Sequence, residues 1–345
     1  MNQVRTSLDG QSLITPELMA REFEQHTQPL RELIAVGKAE MALTLDIARQ
    51  QFETGLETSL VIDRLAKQLH LTRRKFRPGV WPDLVDVAQS HPVASVLLED
   101  PFTRWSFEKP RGYSGDAHLL DFIYDHPNVA SAVGQASPRG RALYNFTSNA
   151  SSSVAVRERR DILTQQVDEI GMRHGRETEI LTIAAGHLRE AMNSQALRDE
   201  TIKRWVALDQ DPLSVASIRA EYPKSRVVAT EGSVLELLTG RKTLGQFDLV
   251  YAAGLYDYLS FSVAVKLTRQ CVRMLKPGGV FLFANFSDEV AVDGYMETFM
   301  NWALLLRSEA DMVKIMQAAD PLGEYQATVW SGENRNIAYG TLSRM

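Results

Sequence analysis

After Gly175 the chain alternates short apolar runs, rich in β-branched and aromatic residues, with helical stretches. The runs read EILTIAAGHL, RWVALDQDP, SRVVATEGS, FDLVYAAGL and GVFLFANF. Such alternation is typical of βαβ units, in which helices cover the faces of a parallel sheet. Two last runs, TVWS and NIAYGTLS, are separated only by the polar turn GENR, which favours an antiparallel hairpin. The sequence therefore predicts an α/β fold whose Rossmann-like, mostly parallel sheet ends in an antiparallel hairpin.

The first half of the chain has a different pattern. From Pro16 to about Met172, apolar residues recur at helical spacing, as in LRELIAVGKAEMALTLDIARQQFE. Proline and glycine interrupt this pattern at RPGVWPDL, SHPVAS, EKPRGYSGD and ASPRG, which mark breaks between helices. A typical domain has roughly 100 to 200 residues, and this chain has 345. We therefore expect a helical N-terminal domain over residues 1–172 and an α/β domain over residues 173–345.

Composition excludes several classes of protein. The formal net charge of -5 argues against general attraction to nucleic acid, which favours a basic surface. No stretch approaches the roughly 20 apolar residues of a membrane span, and the start does not resemble a signal peptide. Cys271, the single cysteine, has no partner for an internal disulfide and fits a buried position in a helix. We expect a cytoplasmic protein without a metal site, since no HxxxH, HExxH or HxH cluster occurs.

The turn after the first β-run predicts a ligand site. In a doubly wound sheet this turn approaches the ligand closely, which favours glycine. Here it contains Ala184, Gly186 and His187. The second run ends at Asp209, 23 residues past Gly186, where an acidic side chain can accept hydrogen bonds from ribose hydroxyls. The adjacent Gln210 is a further candidate.

Later runs supply the rest of this expected site. Ser233 and Val234 follow the third run, where a polar side chain can bind an adenine amino group beside an apolar one that packs on the ring. The fourth run ends in the small residues Ala253 and Gly254, which leave room for a ligand at the carboxyl end of a strand. The order and spacing of these pieces carry more information than any one of them.

This assembly resembles the class I S-adenosylmethionine-dependent methyltransferases over residues 177–344. The resemblance implies that Gly186 faces the methionine part of the cofactor, Asp209 the ribose, and Ser233 with Val234 the adenine. The usual turn of that family carries three glycines, whereas this chain has Ala184, Gly186 and Leu188 at those places. The departure at Leu188 is the larger one, and it bears on the backbone shape of the turn.

A narrower resemblance covers more of the chain. The segments KPRGYSGDAHLLDFIYD, FDLVYAAGLYDYLS, LKPGGVFLFANFS and GYMETFMNWALLLRSEADM resemble the extracellular-factor family of 3-hydroxypalmitic acid methyl ester biosynthesis proteins. This likeness implies methylation of a fatty-acid carboxyl group. The motif RGYSGD lies in the helical half, where Arg111, Tyr113 and Asp116 form either a turn between helices or a lid over the cofactor. We favour the lid, with the helical half also binding the acceptor.

Candidate residues for the acceptor follow the fourth and fifth runs or lie in the lid. They are Tyr113, Tyr258, Asn285, Tyr295 and Arg307. Arg307 is either a bidentate partner for a carboxylate or a surface arginine. Trp302 has the helical spacing of a core residue. His187 acts either as a general base or as a hydrogen-bond partner of the cofactor carboxylate.

Several alternatives stay open at this point. A carboxylate acceptor needs no base, whereas a hydroxyl or nitrogen acceptor, our second hypothesis, requires loss of a proton. A strand, a glycine turn and a distant acid also fit a nicotinamide-dependent oxidoreductase. A non-catalytic S-adenosylmethionine-binding protein and an aminopropyltransferase are compatible with the same fold. We expect a small-molecule or acyl substrate, no nucleic acid and no integral membrane contact, and a homodimer stays open.

Overall fold

The computed structural model describes residues 16–76 and 78–344, with side chains from residue 29 onward. The first half is helical, as predicted, and no strand occurs before Thr178 in this described part. Its helices are α1 (Pro16–Glu53), α2 (Thr58–Lys75), α3 (Trp81–Ser90), α4 (Val93–Leu97), α5 (Pro101–Glu108), α6 (Ala117–Ile123), α7 (Ala130–Gln135), α8 (Pro138–Ser148) and α9 (Ser151–His174). No helix among these residues is long and apolar enough to span a membrane.

A seven-stranded sheet forms the second half. Its strands are β1 (Thr178–Ile183), β2 (Ile202–Asp209), β3 (Val227–Glu231), β4 (Phe247–Ala252), β5 (Leu275–Phe286), β6 (Tyr325–Ser331) and β7 (Ile337–Arg344). Their order is β3-β2-β1-β4-β5-β7-β6. Strands β1 to β5 pair in parallel, whereas β7 is antiparallel to both β5 and β6. The predicted α/β sheet with its antiparallel terminal hairpin is therefore confirmed.

Helices cover both faces of this sheet. The helices of this half are α10 (Gln195–Arg198), α11 (Pro212–Glu221), α12 (Val234–Leu238), α13 (Phe261–Arg273), α14 (Asp293–Thr298) and α15 (Glu309–Ala319). All residues of the central strand β4 are buried, which explains its continuous apolar run. Cys271 is buried in α13, in the position that its apolar neighbours indicate.

Helix α9 joins the two halves. Its apolar residues Leu163, Val167 and Ile170 are buried in one cluster with residues of β1, β2 and β4. The expected boundary between residues 172 and 173 falls inside this helix. One face of the sheet is thus covered by a helix that begins in the N-terminal half.

A segment inserted after β5 returns to the helical half. Asp293 of α14 binds His70 Nδ1 at 2.7 Å and Arg73 Nη1 at 2.9 Å, and Arg73 also reaches Glu297 at 2.7 Å. The same segment contributes buried aromatic residues to the core of helices α1 to α8. This shared core and the ion pairs fix the segment after β5 against helix α2.

The close approach of α14 to α2 requires a glycine at position 294. A Cβ there would lie 2.5 Å from the Leu69 carbonyl carbon and 2.6 Å from its oxygen, both rigid backbone atoms. We expect Gly294→Ala to lower the free energy of unfolding by about 1 to 3 kcal/mol, the usual cost of overpacking. Urea unfolding measures this change. Gly134→Ala in α7 is the control, because a Cβ there meets nothing within 4 Å; equal effects of the two substitutions would contradict the packing argument.

Candidate functional site

A cavity of about 440 Å³ lies at the carboxyl ends of the central strands. This is the expected place for a ligand in a doubly wound sheet, and the volume is within the usual range for small-molecule sites. The walls come from the turn after β1, the ends of β2 and β4, and helices α6 and α9 of the first half. The structure brings ten of the predicted residues to this cavity: Tyr113, Ala184, Gly186, His187, Asp209, Gln210, Val234, Ala253, Gly254 and Tyr258.

The turn after β1 keeps a left-handed backbone despite its missing glycines. The φ angles are 56° at Ala184, 55° at Gly186 and 53° at Leu188. A side chain raises the cost of this conformation by roughly 1 to 2 kcal/mol per residue. The Leu188 side chain is 1 % exposed and packs among residues of β1, β2 and β4, which offsets part of that cost. The departures from glycine therefore leave the shape of the turn intact.

Asp209 connects this turn to the end of β2. One carboxylate oxygen accepts the Gly186 N–H at 2.7 Å and the other accepts the Asp211 N–H at 2.8 Å. Burial raises the pKa of Asp209, while these two donors act in the opposite direction. Two carboxylate oxygens offer about four acceptor sites. Capacity therefore remains for a ligand hydroxyl.

Ser233 has a structural role beside the cavity. Its hydroxyl accepts the Glu236 N–H at 3.3 Å, and the Glu236 carboxylate accepts the Ser233 N–H at 2.8 Å. This reciprocal cap begins helix α12. Val234 lines the cavity, and Gly232 rather than Ser233 lies beside it. Of the two residues predicted to bind adenine, Val234 therefore lies at the cavity and Ser233 does not.

Three predicted acceptor residues lie away from the cavity. Tyr295 is buried in the core of the helical half, and its hydroxyl is 3.1 Å from Thr103 Oγ1. The Arg307 guanidinium donates to the Tyr256 carbonyl at 2.6 Å, to the Leu259 carbonyl and to the Asn285 side-chain oxygen. Because these three acceptors hold the buried guanidinium away from the cavity, the prediction of Arg307 as a carboxylate fork needs correction. Asn285 and Arg307 instead connect the loop after β4 to β5.

Three charged residues of the cavity were missed by the sequence reasoning: Arg159, Arg189 and Glu190. Arg159 of α9 is 5 % exposed and donates to the Ala253 carbonyl at 2.8 Å. Glu190 follows the β1 turn, is 8 % exposed and accepts the Tyr251 hydroxyl at 2.5 Å. Burial raises the pKa of Glu190. A signal for Arg159 existed, since it lies between Val156 and Leu163 at the helical spacing of the apolar face.

Residues 111–116 form a roof over the cavity, here called the roof loop. Arg111 Nη1 donates to the Asp211 carboxylate at 2.8 Å and to Ser214 Oγ at 3.1 Å. The Tyr113 hydroxyl donates to the same carboxylate at 3.1 Å. Asp116 instead caps helix α6, where it accepts backbone N–H groups. The loop that carries RGYSGD is thus attached to the end of β2 through Asp211.

His187 is held at both ring nitrogens. Nδ1 is 3.0 Å from the Asp121 carboxylate and Nε2 is 3.2 Å from Arg111 Nη2. A guanidinium only donates hydrogen bonds, so Nε2 accepts from Arg111, whereas Nδ1 lies between the Asp121 carboxylate and Arg189 Nη2, the latter at 3.2 Å. Although burial opposes it, hydrogen bonds from His187 and Arg189 hold the pKa of Asp121 well below its ordinary value. His187 is therefore engaged as a bridge between the halves and is not a free base.

Comparisons with known proteins agree with this geometry. Residues 183–283 match the family model of the methyltransferase domain. A solved structure of a possible exported protein from Bordetella parapertussis has a TM-score of 0.54 at 16% identity, covering 89% of this chain and 96% of that one. This likeness shows a shared fold across both halves. No curated protein matches the chain.

Two solved methyltransferases are also similar. The N-methyltransferase NodS from Bradyrhizobium japonicum, in complex with S-adenosylhomocysteine, has a TM-score of 0.40 at 16% identity and covers 57% of this chain and 89% of its own. Magnesium protoporphyrin IX methyltransferase from Synechocystis has a TM-score of 0.43 at 10% identity and covers 58% and 88%.

The matched domain contains the turn after β1, the end of β2 and the end of β4, which together form one side of the cavity. The antiparallel hairpin that the sequence predicted lies beside β5 through β7 and speaks against the nicotinamide-dependent alternative. The second half of this chain is therefore a class I methyltransferase domain, and the protein is an S-adenosylmethionine-dependent methyltransferase.

Proposed function

We propose that this enzyme methylates the carboxylate of a small or lipid-like acid, with a hydroxy fatty acid as the leading candidate. The bound cofactor supplies an electrophilic methyl group, which an already ionised carboxylate attacks without prior loss of a proton. The observation that carries the proposal is the hydrogen bonding of the ionisable side chains around the cavity. In the described part of the chain, each candidate base there already has a hydrogen-bond partner.

Hydroxyl groups, rather than bases, line the part of the cavity near the roof loop. Burial, followed by the nearby Asp211 and Asp209 carboxylates, raises the pKa of Tyr113, so its phenol stays protonated at neutral pH. Tyr258 and Ser114 add two more hydroxyls to the same wall. The Tyr113 and Ser114 protons are already donated to Asp211 and to the Asn301 carbonyl, so Tyr258 is the hydroxyl of this wall with a proton left to orient a carboxylate. A protonated hydroxyl does not deprotonate an alcohol or amine.

The other walls fit S-adenosylmethionine. Arg159 and Glu190 place one buried positive and one buried negative group on the cavity, which matches the carboxylate and ammonium groups of the methionine part. Asp209 has acceptor capacity for the ribose hydroxyls, and Val234 offers an apolar surface to the adenine. In this assignment the cofactor binds both buried carboxylates of the cavity, Glu190 and Asp209.

The roof loop acts as a lid in this proposal. Arg111 and Tyr113 attach the loop to Asp211, so the loop covers the cavity and excludes water from the reacting groups. Closure of the lid leaves room for a small acceptor group and excludes a macromolecular surface from the cavity. The cytoplasmic location and the homodimer, which we inferred from the sequence alone, remain proposals.

A hydroxyl or nitrogen acceptor is the second candidate. The raised pKa of Glu190 favours it, because a carboxylate with a raised pKa is a suitable proton acceptor. In that case Glu190→Gln abolishes methyl transfer and leaves the affinity for S-adenosylhomocysteine unchanged. In the carboxylate proposal the same substitution weakens cofactor binding.

Tritiated methyl transfer to a panel of acceptors tests the proposed function. We expect label from the cofactor to enter 3-hydroxydecanoate or 3-hydroxypalmitate as a base-labile methyl ester. The matched amides and primary alcohols are the controls, because they keep the chain and lack the ionised carboxylate. Label in the alcohols or in amines, with none in the acids, would contradict carboxyl methylation and favour the second candidate.

The assignment of Arg159 predicts a ligand-dependent loss of affinity. We expect Arg159→Met to weaken S-adenosylhomocysteine about ten- to hundredfold, as for loss of a charged hydrogen bond, and to leave 5′-methylthioadenosine unaffected. Methylthioadenosine lacks the amino-acid end, so it reports on folding of the cavity in the same variant. Calorimetric titration measures both ligands, with Arg173→Met on the exposed side of α9 as the control. Equal losses for the two ligands would refute the carboxylate contact.

The ribose contact predicts a different pattern for Asp209. We expect Asp209→Asn to weaken S-adenosylhomocysteine and 5′-methylthioadenosine alike, by about tenfold, because both carry the ribose. The neighbouring strand offers Glu231→Gln as a control, since Glu231 is exposed and pairs in register with Asp209. Unchanged affinity for both ligands in Asp209→Asn would remove the ribose site from this position.

A further inference from the structure

Tyr258 lies at the edge of the cavity with a defined hydrogen-bond partner. It ends the short 3-10 turn Tyr256–Tyr258 that follows β4, lines the cavity and is 40 % exposed. Its hydroxyl oxygen is 2.8 Å from the indole Nε1 of Trp302, a residue 5 % exposed in the core of the helical half. The phenol is therefore held from the core side and open on the cavity side.

The chemistry of this pair fixes the direction of the hydrogen bond. An indole N–H donates and has no acceptor capacity, so the phenol oxygen of Tyr258 must accept. Its own O–H is then left to donate elsewhere. Within residues 29–76 and 78–344, no side chain or carbonyl accepts that proton. The wall of the cavity thus carries a hydroxyl donor without an acceptor from the protein.

The turn that carries Tyr258 is held at three points. The Asp257 carboxylate accepts the Phe286 N–H at 2.6 Å, and the Asp257 carbonyl accepts the Leu305 N–H at 2.8 Å. Arg307 donates to the carbonyl of Tyr256, the first residue of the turn, and to that of Leu259, the residue just after it. These bonds restrict the backbone under the phenol, and rigid support of this kind is what an orienting group requires.

Gly115 of the roof loop leaves space for the phenol. Its φ is 70°, and a Cβ there would lie 2.1 Å from the Tyr258 hydroxyl oxygen and 3.1 Å from Trp302 Nε1. Closure of the roof loop in this position therefore requires glycine at 115. The second glycine of RGYSGD thus serves the Tyr258 site directly.

We propose that the Tyr258 hydroxyl donates a hydrogen bond to the nucleophilic oxygen of the acceptor and so orients it toward the methyl group. Trp302 is a positioning residue, because its indole N–H occupies the phenol oxygen and directs the phenol proton into the cavity. Gly115 lets the closed roof loop pack against this pair. The proposal rests on the proposed function for the presence of an acceptor oxygen in this part of the cavity.

Three variants of the full chain test this assignment: Tyr258→Phe, Trp302→Phe and the double variant. We expect kcat/KM for the acceptor to fall about ten- to hundredfold in Tyr258→Phe, with unchanged affinity for S-adenosylhomocysteine. Trp302→Phe keeps an aromatic ring and loses the N–H, so a smaller fall is expected. The double variant should be no worse than Tyr258→Phe, since Trp302 acts only through the phenol.

A spectroscopic signal shows whether Tyr258 contacts the acceptor or only stabilises the fold. In protein labelled with ¹³Cζ-tyrosine and loaded with S-adenosylhomocysteine, the resonance missing from Tyr258→Phe should shift on titration with 3-hydroxydecanoate. The shift should be smaller in Trp302→Phe. Tyr256→Phe is the matched control, because this phenol lies in the same turn, is buried and bonds to Thr268 Oγ1 at 2.8 Å. It should lower stability and leave kcat/KM for the acceptor unchanged.

The outcomes distinguish this proposal from the proposed function. Methylation of the acid with an unmoved Tyr258 resonance and full activity in Tyr258→Phe overturns the assignment and keeps carboxyl methylation. Methylation of alcohols or amines alone, with the same loss in Tyr258→Phe, overturns carboxyl methylation and supports the assignment. Additive losses in the double variant refute the role of Trp302. Transfer to no acceptor of the panel overturns both proposals.

Discussion

The hydrogen bond from the Gly186 N–H to the Asp209 carboxylate is the contact on which the site depends. It joins the turn after β1 to the end of β2, and the second oxygen of the same carboxylate holds the Asp211 N–H. Asp211 in turn receives Arg111 and Tyr113 of the roof loop. The buried Asp209 carboxylate therefore fixes the shape of the turn after β1 and, through Asp211, the position of the roof loop.

The two halves of the chain form one site because polar contacts cross between them at the cavity. His187 of the turn after β1 bonds to Asp121 of α6 on one side and to Arg111 on the other. Arg159 reaches from α9 to the carbonyl at the end of β4. A displacement of the helical half would break these buried hydrogen bonds together, and unpaired buried polar groups are costly. The walls of the cavity are for this reason mechanically coupled.

The sequence predicted the parts of the structure that local patterns determine. Buried strands appear in the sequence as apolar runs, so the sheet and its terminal hairpin were predictable. The same runs predicted that Gly186 follows the first strand and that Asp209 ends the second. Contacts between distant residues were not. Arg159 meets Ala253 across 94 positions of the chain, and no periodicity encodes that pairing. Arg307 and Tyr295 follow β5 as acceptor residues would, but Tyr295 is buried where the segment after β5 turns toward α2, and Arg307 is buried against the loop after β4.

The fate of Arg307 shows why a charged residue near a strand end is a weak indicator of a substrate site. Backbone carbonyls can accept the hydrogen bonds of a guanidinium in place of a ligand carboxylate, and here two carbonyls and the Asn285 amide oxygen accept from Arg307. Its charge then stabilises the loop after β4 instead of a substrate. That loop carries Tyr258, so Arg307 contributes to the site through the backbone it holds. To tell a substrate-binding arginine from one that supports a loop, one must know which guanidinium N–H groups already have acceptors. Only the folded chain provides that information.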